Sequence, residues 1–383
     1  MKTTEFILIV SIVVLFLYII VRWIYKKGFL FNNVQEGLDS LPYPPKTDFL
    51  DSENLPLKEY AIYGSFNTAY DGTQITLKQL GTIMYGGCRF IDFNVFYSDN
   101  DLYIGFANDN APTMIDQSLK LSKLIEYLNQ YAFRIDEDIK KEVENTFASQ
   151  IREFGGTTVN SGQTIQKTYT KYPLFVNIRV YSPPDSEIDI LQLVSEQLIG
   201  PDGLKNLYRS ENGKFAREVT QYTKLKDIQG KVILSLDFHN ILQMYSGSPP
   251  YDPARIPPNV TRNAIKTANI QIGSKSWYAF YNYSDLEKNT YNELTIVDAK
   301  ITPTISYETN TNTMKLVYPY YTDVSNPDSY KYIEKYKIQT VLNRFYKSDD
   351  NLTKYNNLFT DNKTPFLPLY HALRYIKQNT PAK

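Results

Sequence analysis

The 383-residue chain has little histidine, a single cysteine and no excess of either charge. Its only histidines are His239 and His371, and its only cysteine is Cys88. One cysteine cannot form an intrachain disulfide, which favours a reducing compartment. The 41 basic residues balance the 41 acidic ones, so no overall field attracts nucleic acid and we expect no nucleic-acid partner. Chemistry that needs a pair of imidazoles therefore has few candidates here.

A long apolar run lies near the start of the chain. Residues 6–21 read FILIVSIVVLFLYIIV and are followed by RWIYKKGF. Counted on to Tyr25, the run reaches the roughly 20 residues that span a bilayer, with Trp23 suited to the interface. A cleaved signal peptide is the alternative, but no small-residue cleavage site follows. We predict a single transmembrane anchor within residues 1–27, and the cations after the run favour the cytosolic side for the large domain.

The remainder divides into a predicted linker, residues 28–58, and a predicted domain, residues 59–383. The linker has several prolines and no sustained period. In the domain, predicted strands and helices alternate: strands YAIYG (60–64), CRFIDFNVF (88–96), DLYIGFA (101–107), KYPLFVNIRVY (171–181) and KVILSLD (231–237), and helices over 74–86, 115–133 and 187–200. Such alternation predicts an α/β fold of parallel β/α units. Their number suits a closed barrel, although the pattern alone leaves a two-layer fold open.

Several short segments occur in a fixed order along the predicted domain, among them residues 65–68, Ser-Phe-Asn-Thr, and residues 87–94, GCRFIDFN. They resemble the active-site loop Ser-His-Asn-Thr and the Gly-x-Arg-x-x-acid-x-acid strand in the X region of phosphatidylinositol-specific phospholipases C. The family's next strand ends in a second histidine, which LYIGFA matches with Phe106. Segments at 172–182, 225–237 and 314–346 resemble later parts of the family. The resemblance implies a distorted β/α barrel of the TIM type.

The resemblance also implies a reaction that this chain is poorly equipped to perform. In phosphoinositide cleavage one group takes a proton from an inositol hydroxyl and another protonates the departing diacylglycerol oxygen, and imidazoles suit both tasks. Phe66 and Phe106 stand at both family histidine positions, and neither ring titrates. We therefore expect no catalytic residue at either position.

The family's calcium positions are altered as well. Asn67 and Asp92 are retained, but Asn94 replaces a second acid and Arg179 stands where the family has a calcium-binding glutamate. A cation there repels a metal ion, so we expect no cofactor and no calcium. Together with Arg89, these residues are the predicted remnant of a ligand pocket. Arg179 either binds phosphate directly or forms an ion pair with Asp92. Arg89 likewise either binds phosphate or pairs with a buried acidic residue.

The sequence thus predicts a membrane-anchored phospholipase C-like protein without catalysis. It would bind membrane phospholipid, including phosphoinositide, or a protein partner, or serve as a structural protein. Membrane-tethered proteins that resemble this family occur in large DNA viruses, and the Asn, Lys and Tyr bias fits such a source, for which the location would be a virion membrane. The alternative is an active phosphoric diester hydrolase with a relocated catalytic group. His239 follows KVILSLD and is the candidate, whereas His371 falls in a predicted terminal helix remote from that face.

Overall fold

The structure is a computed structural model that describes residues 53–106, 118–141, 170–181, 190–213, 215–237, 268–272, 277–280, 314–319 and 325–380. The predicted anchor, the predicted linker up to residue 52, and His239 lie outside these residues. Within the described ranges, no helix combines the length and the apolar character needed to cross a bilayer.

The described residues form an 11-stranded sheet with helices between its strands. The strands are β1 Tyr60–Ser65, β2 Phe90–Ser98, β3 Asp101–Gly105, β4 Leu119–Lys120, β5 Leu174–Tyr181, β6 Val232–Asp237, β7 Ile270–Ile272, β8 Trp277–Phe280, β9 Met314–Val317, β10 Thr340–Asn343 and β11 Phe366–Pro368. The α-helices are α1 Leu77–Tyr85, α2 Leu121–Tyr131, α3 Ile190–Ile199, α4 Ser329–Tyr336, α5 Asp350–Asp361 and α6 Leu369–Asn379.

Eight of these strands run parallel and follow one another in sequence order. The hydrogen-bonded path is β7-β6-β5-β2-β1-β10-β9-β8, with parallel pairing at each step. Strands β7 and β8, at the two ends of this path, also contact each other. The order therefore returns to its start, which is the arrangement of a β/α barrel. The predicted parallel β/α units are confirmed.

Three further strands extend the barrel with antiparallel pairings. Strand β3 forms a hairpin with β2 and carries β4 on its other edge. Strand β11 pairs with the first residues of β1, where Tyr60 lies opposite Pro368. Helix α2 begins at Leu121 and not at residue 115 as predicted, because Leu119 and Lys120 pair with β3 instead.

Strand side chains alternate between two apolar cores, as the two-residue period of a strand requires. One core contains Ile62, Phe90, Phe175, Ile233 and Leu316 from five strands around the path, and no residue of the six α-helices. It therefore fills the barrel. The other core contains the alternate strand residues together with the inward faces of the helices, so it lies between sheet and helices.

Two packing contacts help to define the apolar interior of the barrel. Gly64 lies inside, where an added Cβ would come within 2.7 Å of Leu342 Cδ2, so a larger residue between β1 and β10 would require Leu342 to shift. Residues before the predicted domain boundary also pack on it. Leu57 lies in a short 3₁₀ helix, Leu57–Glu59, and is fully buried, with its amide donating to the Thr223 carbonyl at 2.9 Å.

Candidate functional site

A layer of buried polar side chains lies above the apolar filling of the barrel. Two residues further along β2, β5 and β6 from the apolar positions, the inward side chains become polar. They are Asp92, Asn94, Asn177, Arg179, Ser235 and Asp237, all of them buried. Ladder pairing places Asp92 opposite Asn177 and Asn94 opposite Arg179. The layer lies toward the carboxyl ends of the strands, the end at which β/α barrels carry their sites.

The loop after β1 docks on this layer through its backbone. Asn67 has a φ of 45°, in the left-handed region that asparagine tolerates better than most residues. Its amide donates to Asp92 Oδ2 at 3.1 Å. Thr68 accepts from the Asp92 amide at 2.9 Å and donates its own amide to the Asp92 carbonyl at 2.9 Å. Two adjacent loop residues are thereby fixed to one residue of β2.

Asp92 and Arg179 form a buried bidentate ion pair. Arg179 Nη2 lies 2.5 Å from Asp92 Oδ2, and Arg179 Nε donates to Asp92 Oδ1 at 3.0 Å. The side chains are 3% and 0% exposed, so water does not screen the pair. Of the two roles predicted for Arg179, the ion pair is confirmed. Binding of a phosphate by this guanidinium remains a prediction.

Three amides complete the network around the pair. Asn67 Oδ1 accepts from Arg179 Nη2 at 2.9 Å and from Asn94 Nδ2 at 2.8 Å. Asn177 Nδ2 donates to Asp92 Oδ1 at 2.8 Å and to the Tyr318 hydroxyl at 2.9 Å. Both carboxylate oxygens of Asp92 and the side-chain oxygen of Asn67 are therefore already occupied by donors from the protein.

Aromatic rings cover the guanidinium of Arg179. Its Cζ lies 4.5 Å from the centroid of the Phe66 ring and 5.2 Å from that of Tyr318. Phe66 is 1% exposed and meets Tyr318 edge-on, with the ring centroids 6.2 Å apart. Burial, followed by the charges of Asp237 and Asp92, holds the pKa of Tyr318 well above its ordinary value. Tyr318 therefore keeps its proton at neutral pH, and Phe66 is an integral part of the packed layer.

Phe106 has different surroundings. It follows β3, is half-buried, and packs against Tyr70 with the rings tilted by 35° and a centroid distance of 4.4 Å. Tyr346, which follows β10, completes the group at 4.8 Å from Tyr70 and 6.3 Å from Phe106. Tyr70, Phe106 and Tyr346, here called the rim cluster, lie on segments that follow β1, β3 and β10.

Arg89 and His371 lie away from the polar layer. Arg89 immediately precedes β2, so it lies at the amino-terminal start of that strand, and its Nη1 donates to the Ala132 carbonyl at 2.7 Å. The structure therefore does not bring Arg89 together with Asn67, Asp92 and Arg179. His371 lies in α6, directly after β11, which pairs at the start of β1. It is thus at the opposite end of β1 from Phe66.

Sequence reasoning missed two members of the network, Asn177 and Tyr318. The signal for Asn177 was present, because Asn177 and Arg179 are two residues apart on one strand and must share a face. Tyr318 carries no such signal. It lies in a stretch with several tyrosines, and only the packing of β9 against the barrel interior distinguishes it.

Comparison with known proteins gives a likeness in fold only. No known family profile and no curated protein matches the sequence. The solved structure of PLC21 from S. officinalis aligns with a TM-score of 0.48 and 12% identity, over 84% of this chain and 38% of that one. PLC21 from L. pealei gives 0.45 and 12%, over 82% and 37%. A mutant phosphatidylinositol-specific phospholipase C from Staphylococcus aureus gives 0.38 and 12%, over 86% and 95%. The chain thus spans 37–38% of the length of the two PLC21 chains.

Proposed function

We propose that this chain is a non-catalytic phospholipase C-like barrel protein that contacts membrane phospholipid without cleaving it. The observation that carries the proposal is the Asp92–Arg179 pair beneath the ring of Phe66. Cleavage of a phosphodiester needs both room for it and proton-transfer groups at the carboxyl end of the barrel. Here a guanidinium, its carboxylate and an aromatic ring are packed together at that end.

The donor set does not fit calcium, which takes six to eight oxygen ligands. Asp92 uses both oxygens on Arg179, and Asn67 uses its side-chain oxygen on Arg179 and Asn94. A calcium ion would have to displace a buried guanidinium that carries charge of the same sign. We therefore propose that this protein works without calcium, and no step of its action passes through a metal ion.

The polar layer that the structure describes contains no imidazole for proton transfer. Phe66 is packed on Arg179, and Phe106 belongs to the rim cluster. Neither ring can accept or release a proton, and His371 lies at the other end of β1. The rival hypothesis, a phosphodiesterase that uses a relocated group, depends on His239.

Contact with a membrane is supported by the rim cluster. Half-buried aromatic side chains suit the interface between water and lipid, where an apolar ring and a polar edge are both accommodated. In this proposal residues 1–27 anchor the chain, the barrel lies on the cytosolic side, and the rim cluster contacts lipid headgroups. A purely structural role in a membrane, a virion membrane included, is the remaining alternative.

The first arm of the test is cleavage. The full chain in lipid nanodiscs that contain phosphatidylinositol is assayed for released inositol phosphate, with and without calcium. We expect no release from the natural chain or from Phe66→His/Phe106→His, since the Asp92–Arg179 pair is untouched by these changes. Release that is lost in His239→Ala would overturn the proposal and identify the relocated group.

The second arm measures lipid contact by hydrogen exchange of the backbone around Tyr70 and Tyr346. We expect slower exchange in nanodiscs that contain anionic phospholipid than in detergent, and loss of this protection in Phe106→Ser. The matched control is Tyr222→Ser. Tyr222 is 56% exposed, and its ring lies beside the ammonium group of Lys58. Lys58 shortly precedes β1, so Tyr222 is at the opposite end of the barrel from the rim cluster. Equal protection in all three chains would refute the contact and leave the structural role.

A further inference from the structure

A cavity outside the barrel contains a buried arginine. It lies between α1 and α2 and the residues that follow α2, on the outer side of the sheet. Its polar lining consists of Arg89, Tyr85, Tyr127, Tyr131, Arg134, Asp136 and Thr170. Arg89 is 2% exposed, whereas Arg134 is exposed, so the cavity runs from a buried arginine to one in contact with solvent.

The charge of Arg89 has no counter-ion in the part of the chain that the structure describes. Its Nη1 donates to the Ala132 carbonyl at 2.7 Å, and its Nε has no hydrogen-bond partner. Burial lowers the pKa of the Arg89 guanidinium to about 10, with the Cys88 sulfur opposing the shift. The side chain therefore still carries its charge at neutral pH. By contrast, the buried guanidinium of Arg179 meets a carboxylate with two hydrogen bonds.

A buried cation of this kind is costly unless it is compensated. Charged groups in protein interiors are normally paired with an opposite charge, and one carbonyl replaces only part of the lost hydration. An anion in the cavity would restore the balance, and the fork of guanidinium donors matches an oxyanion.

The one carboxylate in the lining is committed to its own turn. Asp136 Oδ1 accepts from the amides of Asp138 at 3.1 Å and Ile139 at 3.2 Å, and Oδ2 accepts from the Tyr127 hydroxyl at 3.0 Å. Gly81 makes room for that hydroxyl, because a Cβ at residue 81 would come into collision with it. Asp136 thus caps the residues after it and does not pair with Arg89.

We propose that this cavity is an anion site separate from the barrel mouth, and that it takes a phosphate group held by Arg89 at its floor and Arg134 at its opening. The phosphate is either free, as in a soluble phosphate ester, or part of a lipid headgroup. The site depends on the surroundings of Arg89 and not on the function proposed above.

The test is a phosphate-dependent rise in the melting temperature of the full chain. Inorganic phosphate and inositol phosphate are titrated separately against sodium chloride of equal ionic strength, and nanodiscs with and without phosphatidylinositol form a third arm. We expect a saturable rise in the natural chain and none in Arg89→Met. Arg134→Gln, a change at an exposed position, is expected to need about tenfold more phosphate, since one charged contact is lost.

The matched control is Arg209→Met. Arg209 also donates to backbone carbonyls, at 3.1 Å to Ile199 and 3.3 Å to Gly213, but it lies outside the cavity. The melting temperature of Arg209→Met should rise with phosphate as that of the natural chain does. A rise with the soluble phosphates identifies a free ligand, and a rise only with phosphatidylinositol discs identifies a headgroup. No rise in any arm, or an equal rise in Arg89→Met, would overturn the proposal.

Discussion

Replacement of Arg179 by methionine is the most direct perturbation of the buried pair in the barrel. Methionine keeps much of the side-chain length but removes the charge and, among others, the hydrogen bonds to Asp92 and Asn67. Removing one partner of a buried pair typically costs about 3–5 kcal/mol, because the other charge is left uncompensated. The contacts with the Phe66 and Tyr318 rings are lost as well. We therefore expect Arg179→Met to lower the free energy of unfolding by about 3–5 kcal/mol.

The double variant Asp92→Asn/Arg179→Met separates the two causes. It leaves no uncompensated charge, and buried pairs can often be replaced by neutral groups at little cost. We expect the double variant to be more stable than Arg179→Met alone, so the two single effects will not add. The assay is denaturant unfolding of the full chain in a mild detergent, followed by circular dichroism.

The control is an exposed pair with similar chemistry. Lys123 and Glu126 lie 2.8 Å apart on α2, with side chains 61% and 67% exposed. Lys123→Met should change the unfolding free energy by less than about 1 kcal/mol. A cost for Arg179→Met as small as that of the control, or strictly additive single effects, would refute the view that the mouth of the barrel is held by this ion pair.

Two further predictions concern the barrel wall. Burial, followed by the charge of Lys337, lowers the pKa of Lys315 to about 7, so from about pH 7 to 10.5 the unfolded chain holds a proton that the folded chain lacks. Stability from this group then rises with pH by up to about 1.4 kcal/mol per unit, and unfolding at pH 7 and 9 should show that slope in the natural chain and its loss in Lys315→Met. Gly64→Ala should destabilise the barrel by about 1–3 kcal/mol through contact with Leu342, and Leu342→Ala in the same chain should make the combined cost smaller than the sum, whereas additive costs would show that the space is not shared.

Much of the barrel follows from the sequence because strand periods and their order are local properties. The segments 60–64, 88–96 and 231–237 were predicted as strands and are β1, β2 and β6, within a few residues. The start of α2 could not be predicted, since Leu119 is apolar in either setting and only the partner strand β3 decides between them.

The site was predictable to a smaller extent. Asp92 and Asn94 share a face by the period of a strand, and the ion pair with Arg179 was one of two stated options. The placement of Arg89 shows the limit. It stands three residues from Asp92 in one motif, yet three residues along a strand reverse the face and extend about 10 Å. Proximity in a motif is therefore not proximity in a site.

The double pairing of β1 has a consequence for synthesis of the chain. Residues 60–65 form ladders with residues 340–343 and 366–368, which emerge from the ribosome about 280–300 residues later. At roughly 5–20 residues per second, this first strand waits on the order of 15–60 s for its final neighbours. During that time one of its edges is open to other strands, which is the situation in which chains aggregate. Chaperone demand during translation should therefore be high for this protein and end only once the last strand has been made.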